Sequence, residues 1–218
     1  REEAYDLVEF NLTRDQDCLH CNKKNHSANI KKEEIIILDD DFSALTPIFQ
    51  ASKWHLVNKI FHRNIISAER FERNRNYEDL ILVPFQYFKC HRILKIDVTL
   101  YYYRVNPSSI TENIREEDAD DIFFAMKKMN DFIKEKKHFR TLGTYMMVNC
   151  FLEGRKIIRK KKGFYIYNNK VKEDIQSVLN HGDIHAINHK ILKKMQHLKL
   201  DEFISKLNYQ LLKIIKNR

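Results

Sequence analysis

The sequence predicts an α/β fold in two parts: residues 1–113, built around strands, and residues 114–218, all helical. Within residues 93–103, Leu94, Ile96, Val98, Leu100 and Tyr102 recur at a period of two, the pattern of a strand with one apolar face. From about residue 116, Ala119, Ile122, Phe123, Met126, Met129 and Ile133 recur at threes and fours, which places them on one face of a helix. The chain of 218 residues is 43% hydrophobic and 32% charged, so it can bury a sizeable core. With 4 Gly it argues against a glycine-rich phosphate loop.

Each element follows from its local pattern. Val8 and Phe10 alternate with polar neighbours, so residues 4–10 read as an opening strand. Residues 11–32 are polar and read as a hairpin or a long loop. The short apolar run 35–38 fits a strand or the edge of a buried helix. Asp41 or Ser43 can cap a helix over residues 44–61 with Pro47 in its first turn, which would put Trp54, Val57, Phe61 and Ile65 on one face. Residues 64–77 are basic and polar, with Phe71 as the expected anchor. Residues 78–88 read as a buried helix, although Pro84 sits near its middle. Residues 93–103 then form a strand, expected to be central, and Asn106-Pro107-Ser108-Ser109 a turn. In the second part, 142–152 is apolar nearly all round and reads as a buried helix, and helical patterns continue over 173–179, 184–198 and 200–215.

The formal net charge is +9, which draws a chain toward polyanions. The excess gathers in residues 155–162, with Arg155, Lys156, Arg159, Lys160, Lys161 and Lys162, while residues 112–121 are acidic. Both runs read as solvated helix faces. The basic run also suits an anionic membrane surface, where each positive charge contributes about 1 kcal/mol. Interspersed acids and the lack of a nucleic-acid motif argue against nucleic acid as the partner. No apolar run is long enough to span a bilayer and no secretory signal is evident, so the expected location is the cytoplasm, possible periphery of the inner membrane face included. Cys18, Cys21, Cys90 and Cys150 are then expected as free thiols. Cys18 and Cys21 followed by His26 have a zinc-like spacing, but no second such pair exists, which favours a polar loop. Asp39, Asp40 and Asp41 could hold a divalent cation, although a helix cap is the stronger reading.

The most specific segment runs from Val57 to Thr111. It contains Asn58-Lys59-Ile60-Phe61-His62-Arg63, Arg70-Phe71, Tyr77-Glu78-Asp79-Leu80, Tyr101-Tyr102-Tyr103-Arg104 and Ser108-Ser109-Ile110-Thr111. This order and spacing resembles the inverting family 2 glycosyltransferases that build bacterial lipopolysaccharide and capsule. The resemblance implies a GT-A-type, Rossmann-like mixed sheet followed by a helical region, with this chain as its acceptor-side portion. A nucleotide-binding half with an Asp-x-Asp motif would precede it.

By the same resemblance Asp79 is the catalytic base, taking the proton from an acceptor hydroxyl as it attacks the anomeric carbon. Glu78 would position the acceptor. Asn58 and Lys59 would lie near the acceptor or the pyrophosphate, whose charge a lysine suits. Trp54 could supply the stacking surface of the tryptophan that the family often carries where Val57 stands. Tyr103 could stack or hydrogen-bond, and Arg104 could reach phosphate oxygens. Purely structural readings stand beside these: carboxylates at a helix start for Glu78 and Asp79, an exposed helix pair for Asn58 and Lys59, a core residue for Trp54, a strand end for Tyr103 and Arg104. The resemblance further implies a nucleotide-sugar donor such as a UDP-sugar and a saccharide or lipid-linked acceptor. It also implies a divalent metal, Mn or Mg, with ligands mostly outside these residues. The competing readings are a basic module for nucleic acid or anionic membrane, and an inactive scaffold of the same shape.

Overall fold

The computed structural model describes residues 4–15, 33–67, 70–109 and 113–216. It is a mixed α/β structure, mostly helical, with a four-stranded mixed sheet and eight α-helices among the described residues. Two compact units emerge. The first comprises Arg1–Leu45, Lys53–Arg73 and Glu78–Glu112, and the second Thr46–Ser52, Asn74–Tyr77 and Asn113–Arg218. Two short segments from the first half of the sequence thus belong to the helical unit.

The first unit is built on strands β1 (Leu7–Thr13), β2 (Glu33–Ile37), β3 (Lys59–Phe61) and β4 (Arg92–Tyr102), in the order β2-β4-β1-β3. β4 runs parallel to β1 and antiparallel to β2, and β3 pairs antiparallel with β1. The alternating strand is therefore central, as its pattern predicts. Asp6 fixes its start: one carboxylate oxygen accepts the backbone N–H groups of His91 and Arg92 at 2.7 and 3.0 Å. The expected apolar face needs correcting, because Leu94, Ile96 and Val98 are only half-buried while Ile93, on the opposite face, is fully buried.

The expected helix over 44–61 does not form as one element. A 3₁₀ turn at Ser43–Leu45 leads into α1 (Thr46–Ala51), and the chain leaves the helix at Ser52, whose φ is +48°. A second 3₁₀ turn, Leu56–Asn58, then delivers β3 to the sheet. Pairing with β1 outweighs helical periodicity here, so Trp54, Val57, Phe61 and Ile65 share no face. Asp41 caps no long helix; it accepts from the backbone N–H and the hydroxyl of Ser43, each at 2.8 Å, just ahead of the 3₁₀ turn. Beyond β3 lies α2 (Arg63–Ile66), anchored by buried Ile65; Phe71, the expected anchor, is half exposed.

α3 (Glu78–Tyr87) matches its prediction and stays helical through Pro84. Proline there removes the N–H that would bond the Leu80 carbonyl. Burial of Ile81, Leu82, Val83, Pro84 and Tyr87 offsets that loss.

The second unit contains α1, α4 (Asp118–Glu135), α5 (Arg140–Lys162), α6 (Asn169–His181), α7 (His189–Gln196) and α8 (Leu198–Lys216). α4 packs along α5, and two glycines allow the close approach: a Cβ on Gly143 would stand 2.5 Å from Ile133, and one on Gly154 2.7 Å from the Phe123 ring. α5 is longer than the apolar run 142–152 suggested. It carries the basic residues in its last turns and ends at Gly163, whose φ of +84° suits glycine.

The two charged runs are not simply solvated. Asp118 and Asp121 are buried: Asp118 accepts from Arg115 and from the Asn76 amide at 2.7 Å, and Asp121 from Arg75 at 2.8 Å. Arg155 is buried against Asp201. No helix among the described residues is long and apolar enough to cross a membrane.

Candidate functional site

The sheet of the first unit changes character along its parallel pair. On β1, fully buried Leu7 is followed at alternate positions by Glu9, Asn11 and Thr13. On β4, fully buried Ile93 is followed by Lys95, Asp97 and Thr99. One face passes from apolar Leu7 and Ile93 to polar Glu9 and Lys95 toward the carboxyl ends of the strands, where open α/β sheets bind ligands, and the pairing shifts register beyond them. The Asn11 amide donates to Asp97 at 2.8 Å, which ties the two strands on that face.

A buried polar network underlies it. Glu9 and Lys59 face each other across β1 and β3, with the Lys59 Nζ 3.4 Å from Glu9 Oε1. Nζ also donates to the His55 carbonyl at 2.9 Å and to Asn58 Oδ1 at 3.0 Å. The Asn58 amide donates to the Phe10 carbonyl at 2.9 Å, and the Tyr87 hydroxyl donates to Glu9 Oε2 at 3.1 Å. Burial pushes the Lys59 ammonium below its ordinary pKa, against the opposing charges of Glu9 and Asp79. Burial, with Glu9 beside it, pushes the Tyr87 phenol well above its own.

Asp79 lies in the first turn of α3, half-buried. One of its oxygens accepts the Leu80 backbone N–H at 2.7 Å. Burial raises its pKa above the ordinary carboxylate value and neighbouring Glu78 adds to the rise, while the Leu80 bond, His55 and Lys59 oppose it. Among the described residues Asp79 has no salt-bridge partner. It is a carboxylate in a partly dry setting, electrostatically coupled to the network but not locked by it. A rim of rings adjoins His55. The Tyr103 ring lies 6.3 Å from His55 and 6.4 Å from Tyr101, and the Arg14 guanidinium stands 5.5 Å above it.

The sequence-derived residues thus separate by environment. Asp79, Asn58 and Lys59 are linked through one network, and Tyr103 joins through His55. Lys59 is internal, its hydrogens committed to neighbours, which suits holding β3 and shaping the field at Asp79 rather than contacting a diphosphate. Trp54 is buried edge-on against Tyr87, with centroids 5.9 Å apart, so it is a core residue with no open face for stacking. Glu78 and Arg104 are exposed. Sequence reasoning missed Glu9, His55 and Tyr87. Glu9 carried a signal, as a lone carboxylate amid the apolar positions of the opening strand. His55 and Tyr87 join only through the fold.

Among the described residues no group of three His, Cys, Asp or Glu side chains is placed to hold a metal ion. The Asp41 carboxylate is engaged by the backbone N–H and hydroxyl of Ser43. Cys18, Cys21 and His26 lie outside the described residues, as do Ile110 and Thr111 of the Ser-Ile-Thr turn. No family model, curated protein or solved structure matches the chain.

Proposed function

We propose that this chain is the acceptor-side portion of an inverting, GT-A-type glycosyltransferase in cell-surface polysaccharide or lipopolysaccharide synthesis, with Asp79 as its base. The observation that carries the proposal is the state of Asp79: half-buried, free of ion pairs among the described residues, and raised in pKa by burial. A base with its pKa moved toward the working pH accepts a proton more effectively than an ordinary surface carboxylate. The ionised carboxylate takes the acceptor hydroxyl proton while that oxygen bonds to the anomeric carbon. The bond from that carbon to the nucleoside diphosphate breaks, and the electron pair leaves with the phosphate.

The other residues take supporting parts. Tyr103, beside His55 and Tyr101, offers an aromatic face for a sugar ring. Arg104 is exposed and available to a phosphate. Glu9 and Lys59 position rather than react. Residues that bind the nucleotide sugar and a divalent metal are expected elsewhere in the working enzyme.

The test is sugar transfer by the working enzyme carrying Asp79→Asn, a change of one atom. Loss of about 10²–10⁴-fold in rate, with an unfolding midpoint no lower than the parent's, is the expected result. Undiminished transfer removes the assignment.

A membrane-surface role is favoured by a separate observation. α8 exposes Leu200, Phe203, Ile204, Leu207, Leu211, Ile214 and Ile215 at helical spacing, on a unit that also carries the basic run 155–162. An apolar helix face beside positive charge suits an anionic leaflet, where a lipid-linked acceptor would reside.

A further inference from the structure

The helical unit carries an open groove of about 450 Å³ lined by Leu152, Arg155, Lys156, Arg159, Lys160 and Tyr165, and by Lys194 of α7. No carboxylate lines it. Two of its five cations have acidic partners: Arg155 binds Asp201 at 2.9 Å, and Lys156 meets exposed Glu153 at 3.3 Å. Arg159, Lys160 and Lys194 form no ion pair among the described residues.

Three features make this a built site rather than a charged patch. Arg155 is buried, stacked with its guanidinium carbon 3.9 Å from the Tyr165 ring centre, and its Nε has no hydrogen-bond partner. Lys156, Arg159 and Lys160 stand three and four residues apart on one face of α5, a spacing at which like charges repel by about 0.2–0.5 kcal/mol per pair. The favourable effect of cations at a helix C-terminus fades beyond the last turn, so it does not account for Lys156, which lies upstream of the last turn of α5, although Lys194 does sit in the last turn of α7.

An anion relieves that repulsion. Arg159 can present two parallel N–H donors to phosphate oxygens, and the lysines add point charges. The volume falls in the range of roughly 300–1,000 Å³ common to small-molecule sites, ample for linked phosphates. We propose that this groove binds a diphosphate group, either free or as the headgroup of a membrane lipid. The inference rests on the helical unit alone; it shares the basic run with the membrane-surface reading and does not depend on the role of Asp79.

The test is calorimetric titration of the whole protein with inorganic diphosphate near physiological salt, where diffuse surface attraction is largely screened. Saturable binding is expected. It should weaken at least about tenfold in the variant Arg159→Ala/Lys160→Ala/Lys194→Ala, and less than about twofold in the charge-matched variant Lys136→Ala/Lys137→Ala/Lys190→Ala. All six positions are exposed, so both variants should keep the parent's circular dichroism and unfolding midpoint. Arg159→Gln alone, expected to weaken binding several-fold, is the reserve should the first triple variant misfold.

Vesicles separate the sources. Phosphatidylcholine vesicles doped with a long-chain isoprenyl diphosphate should capture the protein in competition with inorganic diphosphate if the group is a lipid headgroup. Titration heat without capture identifies a free diphosphate. Equal weakening by the two triple variants, or no binding at millimolar diphosphate, overturns the proposal. Vesicle capture that inorganic diphosphate does not compete also overturns it.

Discussion

Glu9 on β1 and Lys59 on β3 oppose each other across the antiparallel ladder, and their side chains meet at 3.4 Å. The Lys59 side chain has no exposure to solvent and that of Glu9 only 17%. Placing an ammonium in such a setting is costly unless its hydrogens are all used, and here two oxygens besides Glu9 accept from it at 3.0 Å or less. The pair therefore fixes β3 to β1 and sets the local field beneath Asp79.

Removing one partner strands the other. Lys59→Met keeps much of the volume and leaves Glu9 with only the Tyr87 hydroxyl, so it should cost about 3 kcal/mol in urea unfolding. Glu9→Gln in the Lys59→Met background should recover part of that loss. A single variant as stable as the parent would show that the pair contributes nothing net.

Asp79 predicts opposite pH trends for stability and rate. Its pKa is raised on folding above the ordinary carboxylate value, so the folded state binds its proton more tightly than the unfolded chain does. Its contribution to stability is full below the unfolded value and is lost as pH rises through the raised folded value. Asp79→Asn removes that dependence, so the variant should gain on the parent as pH rises from about 4 toward neutrality. Transfer, which needs the ionised form, should instead rise with pH through the same window. Parallel unfolding curves for parent and variant at every pH would contradict the burial argument.

Period and punctuation made much of this fold legible. The threefold and fourfold recurrence from Ala119 to Ile133 became α4, and alternation from Leu94 became the central strand. The failures share one cause: a distant partner overrode a local pattern. Trp54, Val57, Phe61 and Ile65 fit a helix face, yet residues 59–61 are taken by β1. Asp118 and Asp121 looked solvated until Arg75 and Asn76, more than forty residues away, covered them. At the candidate site, the position of Asp79 at a helix start was readable, but its neighbours His55 and Lys59 follow only from a strand that periodicity concealed.

Gly154 should resist even alanine. A methyl there would lie 2.7 Å from the Phe123 ring tip, and Phe123 is itself buried. Alanine gains about 1 kcal/mol of helix propensity, while overpacking costs about 1–3 kcal/mol. Gly154→Ala should therefore be neutral to destabilising, and Phe123→Leu in that background should restore stability by making room. A Gly154→Ala protein with a clearly raised thermal midpoint would mean that the ring moves aside freely.

Arg155 and Asp201 join α5 to α8. One guanidinium nitrogen donates to both Asp201 oxygens, at 2.9 and 3.0 Å, and the Tyr167 hydroxyl donates to the same carboxylate at 3.3 Å. The arginine side chain is 4% exposed, so Asp201→Asn leaves a buried cation without its counter-charge, at a cost of about 3 kcal/mol. Two further contacts of α8 lie beside this carboxylate: Glu202 accepts the Tyr167 backbone N–H at 2.7 Å and Ser205 that of Tyr165 at 2.9 Å. The loss should therefore show as local release of α8. Amide hydrogen exchange should accelerate along Leu198–Lys216 and at Tyr165 and Tyr167, with α4 unchanged. Uniform acceleration through every helix of the unit would mean that α8 unfolds only with the whole, and that the ion pair stabilises the unit globally rather than docking one helix.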